Sequence, residues 1–210
     1  MLPRSFGPLR HKLAIGASTA LLISGLVAGS VAAASSTTEF DMAVSSGAKA
    51  CLPDARAEVH IRSLGPVEAM DVDANGLPAN TGFDLFVIQD PVAPFGLSWY
   101  QGDLETDANG HAHGHFLGRF SVESFFVAPG PASAPVVFDD QPFPDASSNP
   151  AFAPIQTYHL GVWFNSPDDA QKAGCAANVT PFNGEHHAGI QVLNTANFPL
   201  DQGPLRQIHN

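Results

Sequence analysis

From residue 57 onward, apolar and polar side chains alternate with a period of two in several short runs, the spacing of half-buried β-strands. Ala57, Val59 and Ile61 alternate with Glu58, His60 and Arg62, which puts His60 on the wet side. Residues 83–88 (FDLFVI) are nearly all apolar and predict a central strand covered on both faces. Residues 97–104, with Trp99 and Tyr100, are a further strand candidate. From His111 to Val127 the even positions are mostly apolar or small and the odd ones mostly polar. A strand of that length is expected to bend, and Gly114 or Gly118 is the expected place. In 157–165, Tyr158, Leu160, Val162 and Phe164 point one way, with His159 and Trp163 opposite. Residues 190–193 (IQVL) make the last clear strand.

Turn signals separate these runs: Leu64-Gly65-Pro66, Asn75-Gly76, Asn109-Gly110 and Asn183-Gly184. One short helix is predicted near 167–173. Ser166 supplies an N-cap, Pro167 the first helical position, Asp168 and Asp169 the acidic first turn, and Gly174 the stop. Residues 128–154 are rich in Pro, Ser, Ala and Asp and read as an excursion, with Phe138, Phe143 and Phe152 able to pack down. Many short strands with regular turns predict an all-β fold. The expected form is a single β-sandwich, immunoglobulin-like or jelly-roll, over residues 51–210.

The N-terminus reads differently. Arg4, Arg10 and Lys12 precede an apolar run that ends in Val31-Ala32-Ala33-Ala34. A basic start, an apolar stretch and an A-x-A site make residues 1–34 a secretory signal peptide, cleaved after Ala34. Residues 35–50 are small and polar and read as a flexible lead-in. The expected destination is the extracellular space or the cell envelope. The mature chain is expected to have no membrane span.

Charge narrows the partners. The 210 residues carry 9 Lys+Arg and 20 Asp+Glu, a net charge of −11. Removing residues 1–34 takes away three basic residues and no acid, so the mature charge is −14. Such a surface repels phosphate, which excludes nucleic acid as the expected partner, and suits cations or a neutral extracellular ligand or protein.

Residues 77–85 (LPANTGFDL), followed by Gly102-Asp103-Leu104-Glu105-Thr106-Asp107-Ala108-Asn109-Gly110, resemble a pattern of secreted bacterial immunoglobulin-like β-sandwiches. In that pattern a leucine-proline and an aromatic strand precede a glycine and a threonine-aspartate-alanine-x-glycine hairpin. The likeness covers residues 57–127 and implies the sandwich fold without implying an activity. The Cys-Trp-Cys pattern of antibody domains is absent.

Four constellations carry candidate chemistry. Cys51 and Cys175 are the only cysteines, and in an oxidising compartment they are expected to pair. His111, His113 and His115 share one strand face. Neighbouring members lie about 7 Å apart, close enough to share a transition-metal ion, zinc or copper. His113 and His115 flank Gly114, where a bend would aim both rings at one point. A further donor is expected from Glu185, His186 or His187. Asp71-Val72-Asp73-Ala74-Asn75-Gly76 matches the opening of a calcium loop, but Gly82 stands where the bidentate Glu belongs, which disfavours calcium. Trp99, Tyr100, Trp163 and His159 could offer aromatic faces to a sugar ring. No nucleophile elbow, zinc-protease motif, P-loop or dinucleotide fingerprint occurs. Three readings follow in order: a secreted non-catalytic binding module, a secreted metal-binding protein using the His-rich strand, and a hydrolase with a convergent site.

Overall fold

The computed structural model describes residues 37–127, 154–183 and 186–209. The proposed signal peptide and the excursion at 128–153 lie outside them. The described residues belong to one compact unit, 34–210.

The fold is all-β and antiparallel. Its strands are β1 (Thr37–Val44), β2 (Arg56–Ser63), β3 (Glu68–Asn75), β4 (Gly82–Ile88), β5 (Ser98–Glu105), β6 (Ala112–Gly118), β7 (Phe125–Val127), β8 (Pro154–Gln156), β9 (His159–Phe164), β10 (Thr180–Asn183), β11 (His186–Ala188) and β12 (Gln191–Asn194). Eight of them form a continuous sheet in the order β5-β4-β9-β12-β1-β2-β3-β6. β1 is its corner: residues 37–42 pair with β2, and Ala43 and Val44 pair with β12. Two leaves result, β1-β2-β3-β6 and β12-β9-β4-β5, with a shared strand at their junction, a known way to turn a sandwich corner. The free edges β5 and β6 approach each other, so the sheet nearly closes. A Cβ at Gly102 on β5 would stand 2.8 Å from the Phe116 ring on β6, and one at Gly114 would stand 2.5 Å from Leu104.

The core lies between the leaves. Phe40 and Met42 of β1, Val59 and Ile61 of β2, Met70 and Val72 of β3, and Phe116 of β6 face Phe83, Leu85, Leu160, Val162 and Phe164. Each such side chain contributes about 1.5–3 kcal/mol on burial. β4 and β9 are covered on both faces, as the apolar run at 83–88 predicts. Their second face carries Phe86, Ile88 and Trp163, packed with Ala188 and Phe95.

Several expectations are corrected. Residues 37–44 are the corner strand and not part of a loose lead-in. TTEFDMAV alternates Phe40 and Met42 inward with Glu39 and Asp41 outward, a pattern too short to stand out among small polar neighbours. The run from His111 to Val127 does not bend within one strand. β6 stops at Gly118, and the chain turns through 119–124, held by the buried Glu68 carboxylate accepting the Phe120 N–H at 2.7 Å. Gly114 sits in regular pairing with Val72 and makes room for Leu104 and Phe116, so it is a packing glycine and not a hinge. His159 and Trp163 are both buried.

The helix α1 (Pro167–Lys172) forms as its signals predict. The Ser166 hydroxyl accepts the Asp169 N–H at 3.1 Å, and Gly174 has φ +77°. It carries Cys175 back to Cys51, just beyond the corner strand, and the two form a disulfide with Cα atoms 5.3 Å apart. The bridge fits a compartment outside the reducing cytosol. Among the described residues no helix is long and apolar enough to cross a membrane.

Two predictions concern stability. The bridge spans 124 residues, which constrains the unfolded chain by about 4–5 kcal/mol in the loop-entropy account. The Cys51→Ala, Cys175→Ala variant is therefore expected to melt roughly 10–15 °C below the oxidised protein, as read by calorimetry; equal melting temperatures would contradict it.

His159 supplies the second. Its Nε2–H donates to the Leu200 carbonyl at 3.0 Å, so Nδ1 accepts the Thr195 hydroxyl at 2.9 Å. Burial holds its pKa below the usual histidine value. The unfolded chain takes up a proton near pH 6.5 while the folded chain does not. Its contribution is therefore present above pH 6.5 and lost as pH falls below it. Urea melts from pH 7.5 down to pH 5 should show a smaller acid loss for His159→Gln than for the parent. Parallel curves for the two proteins would refute this role.

Candidate metal centre on the outer face of β1-β2-β3-β6

Strand pairing in register stacks outward side chains into rows across four strands. One row runs Glu39 (β1), His60 (β2), Asp71 (β3), His115 (β6). The next runs Asp41, Glu58, Asp73, His113. These positions point outward because their neighbours Phe40, Met42, Val59, Ile61, Val72 and Phe116 fill the core. The result is a surface of carboxylates and imidazoles on a rigid sheet.

His113 and His115 are held individually. His113 Nδ1 lies 2.8 Å from Asp73 Oδ1, and His115 Nδ1 lies 2.5 Å from Asp71 Oδ1. A carboxylate only accepts, so Nδ1 carries the proton and Nε2 is the basic nitrogen of each neutral ring. A carboxylate that accepts from Nδ1 in this way orients an imidazole to bind a metal through Nε2. The His115 hydrogen bond also holds the Asp71 carboxyl below the usual carboxylate range. With no bend at Gly114, the two rings go to different carboxylates and not to one point. His111 precedes β6, and its N–H donates to Asp107 Oδ1 at 3.0 Å. A shallow hollow of about 360 Å³ lies between Asp73, Glu105, Asp107, His111 and His113.

The donor loop expected at 185–187 is placed elsewhere as far as it is described. His187 is exposed on β11. The next residue, Ala188, packs on Phe86, Ile88 and Trp163 of β4 and β9, in the leaf opposite β6. Glu185 and the His186 side chain lie outside the described residues. The partners of His113 and His115 are instead Asp73 and Asp71, two residues that stand out in the sequence only as a calcium-loop opening. That loop does not form. Asp71, Asp73 and Asn75 sit on extended β3, about 7 Å apart in succession, too spread to wrap one calcium ion. Gly76 and Gly110 close turns at φ +73° and +77°, where a Cβ would meet the backbone oxygens of Asp54 and Leu77.

At the β1–β2 side of the face, His60 Nδ1 lies 3.4 Å from Glu39 Oε2, and His60 Nε2 lies 3.8 Å from Glu58 Oε2. Glu39, by hydrogen bond and by charge, pushes the Glu58 carboxyl above its usual range.

The aromatic candidates separate. Trp163 is buried beneath Phe86 and Phe95, with ring centroids at 5.4 and 5.0 Å. Trp99 and Tyr100 are half-exposed and line a groove of about 520 Å³ with Leu117, Arg119 and Phe125. Trp99 stands 6.1 Å from the Phe126 ring, and the Tyr100 hydroxyl donates to Asp103 at 2.6 Å.

No protein family, curated protein or solved structure matches the chain.

Proposed function

We propose that this is a secreted binding protein, acting outside the cell or in its envelope, whose working surface is the outer face of β1-β2-β3-β6. Its ligands are divalent transition-metal cations, zinc or copper. The observation that carries this reading is the row Asp41, Glu58, Asp73, three carboxylates directly opposite one another on adjacent strands. Like charges in that position destabilise a sheet. On a mature chain of net charge −14, the general field adds to the local repulsion. A bound cation relieves both. The imidazoles of His113 and His115 end the two rows. Imidazole next to carboxylate selects first-row transition metals over calcium or magnesium.

The His–Asp pairs give the β6 side its donors. His113 and His115 bind through Nε2, Asp73 and Asp71 fix the rings, and Asp107 and Glu105 stand nearby across the hollow. The signal peptide and the disulfide support the compartment, since oxidised cysteines persist there. The aromatic groove at Trp99 and Tyr100 supports a second, organic ligand for the same binding module, since half-exposed rings around a concavity suit a planar or sugar-like partner.

Zinc titration by calorimetry at pH 7.5 tests the reading. The parent protein is expected to bind, and the His113→Ala, His115→Ala variant to lose the β6 sites. Binding should weaken on acidification, because only neutral imidazole ligates. Zinc should also raise the parent's melting temperature, since an ion bound only by the folded state stabilises it. An identical titration for both proteins would remove His113 and His115 from the site.

A further inference from the structure

We infer that Glu39, Glu58 and His60 form a separate three-donor site for one divalent transition-metal ion, distinct from the His-rich strand. Each offers one ligand atom, and the three atoms lie within 4.8 Å of one another. Among the described residues this is where three such donors converge. The site deepens the reading of this face as a cation surface, but it shares no residue with the β6 imidazoles.

Sheet geometry builds the site. Glu39 and His60 are register partners on β1 and β2. Glu58 is two residues from His60 on the same face of β2, so the three side chains start from fixed points on a rigid ladder. The core behind them is dense: Phe40, Val59 and Ile61 are all buried. Two ligands each about 2.0–2.1 Å from a tetrahedral ion stand about 3.3 Å apart. The closest contacts use opposite ring nitrogens, Nδ1 to Glu39 at 3.4 Å and Nε2 to Glu58 at 3.8 Å; one nitrogen takes the ion, and the two carboxylates, with ligand atoms already within 4.8 Å, turn onto it. Half-exposed side chains can close the remainder by small rotations.

The chemistry selects the ion. Two carboxylates give a charge of −2, which a divalent cation neutralises. The imidazole distinguishes this set from a purely acidic cluster and favours zinc or a neighbouring first-row ion over calcium. Three protein donors leave one tetrahedral position for water. Without metal, the Glu39 and Glu58 carboxylates stand within 4.8 Å of each other on the same outer face. The surrounding groups add negative field: Asp41 and Asp73 stand opposite Glu58, and Asp71 stands opposite His60, while Arg56 and Arg62 are the cations on the same face of β2. An ion bound between them replaces a like-charge contact with two metal–ligand bonds.

The test is zinc titration of the disulfide-bonded protein by calorimetry at pH 7.5, with calcium as the comparison ion. Four proteins are compared: the parent, Glu39→Gln with Glu58→Gln and His60→Ala, the single His60→Gln variant, and His113→Ala with His115→Ala. The triple variant is expected to lose one zinc equivalent, or to bind it at least tenfold more weakly, while the β6 variant keeps that equivalent. His60→Gln, which preserves shape, is expected to reproduce most of the loss, and it decides the matter if the triple variant melts abnormally in EDTA. Unchanged zinc stoichiometry and affinity in the triple variant and in His60→Gln overturn this site. Zinc binding that disappears only in the β6 variant also overturns it while leaving the proposed function standing. Binding that disappears only in the triple variant supports this site and removes the β6 donors. Calcium binding as tight as zinc, or no zinc binding by the parent, overturns it as well.

Discussion

Everything in this fold hangs on β1 pairing in two directions. Its first six residues belong to β2 and its last two to β12. Without that switch, leaf β2-β3-β6 and leaf β12-β9-β4-β5 would share no hydrogen-bonded strand. Phe40 and Met42 then sit at the seam, buried between both leaves. The disulfide reinforces the same corner, since Cys51 follows β1 closely and Cys175 follows the helix packed near β9. Hydrogen bonding, apolar burial and a covalent link thus converge on one edge, while at the opposite edge β5 and β6 meet through side chains.

The same pairing has an electrostatic consequence. A strand turns every second residue outward, and register decides which outward residues become neighbours. Here the core requirement on Phe40, Val59, Val72 and Phe116 forces Glu39, His60, Asp71 and His115 into one row and Asp41, Glu58, Asp73 and His113 into the next. The arrangement is not one that stability alone would favour, because carboxylates face carboxylates. Histidines at the ends and within the rows temper the repulsion when protonated and provide ligands when neutral. One surface is thus both locally costly and chemically equipped for cations.

The second leaf resolves polarity in the opposite way. His159 and Trp163 lie on the outer face of β9 yet are buried, because the 89–97 loop, the β10–β11 region and the C-terminal turn cover that face. His159 meets the burial requirement by using both ring nitrogens in hydrogen bonds, one to Thr195 and one to Leu200. The two leaves therefore divide the work: one covers its β4 and β9 strands on both sides, and the other keeps a wet, charged face.

The sequence by itself determined the all-β class, the strand positions of β2, β4, β5, β6, β9 and β12, the helix with its Ser166 cap and the disulfide partners, but not β3, whose acidic residues read as turns. These are local matters or matters of scarcity: period two is written residue by residue, a cap needs only its own turn, and two cysteines have one pairing. It also marked the histidines of β6 as an outward row. The lead-in reading of 37–44 missed β1, because eight residues with two large apolar side chains look unremarkable until a partner strand gives them a core to fill. The donor set was decided by tertiary structure alone. Asp71 and Asp73 lie about 40 residues from the imidazoles they hold, and Glu39 meets His60 only through the β1–β2 register. Periodicity shows which way a side chain points, but only the pairing of distant strands shows what it points beside. The physical reason is that register is chosen by the core on the buried face, while the chemistry it creates appears on the other side.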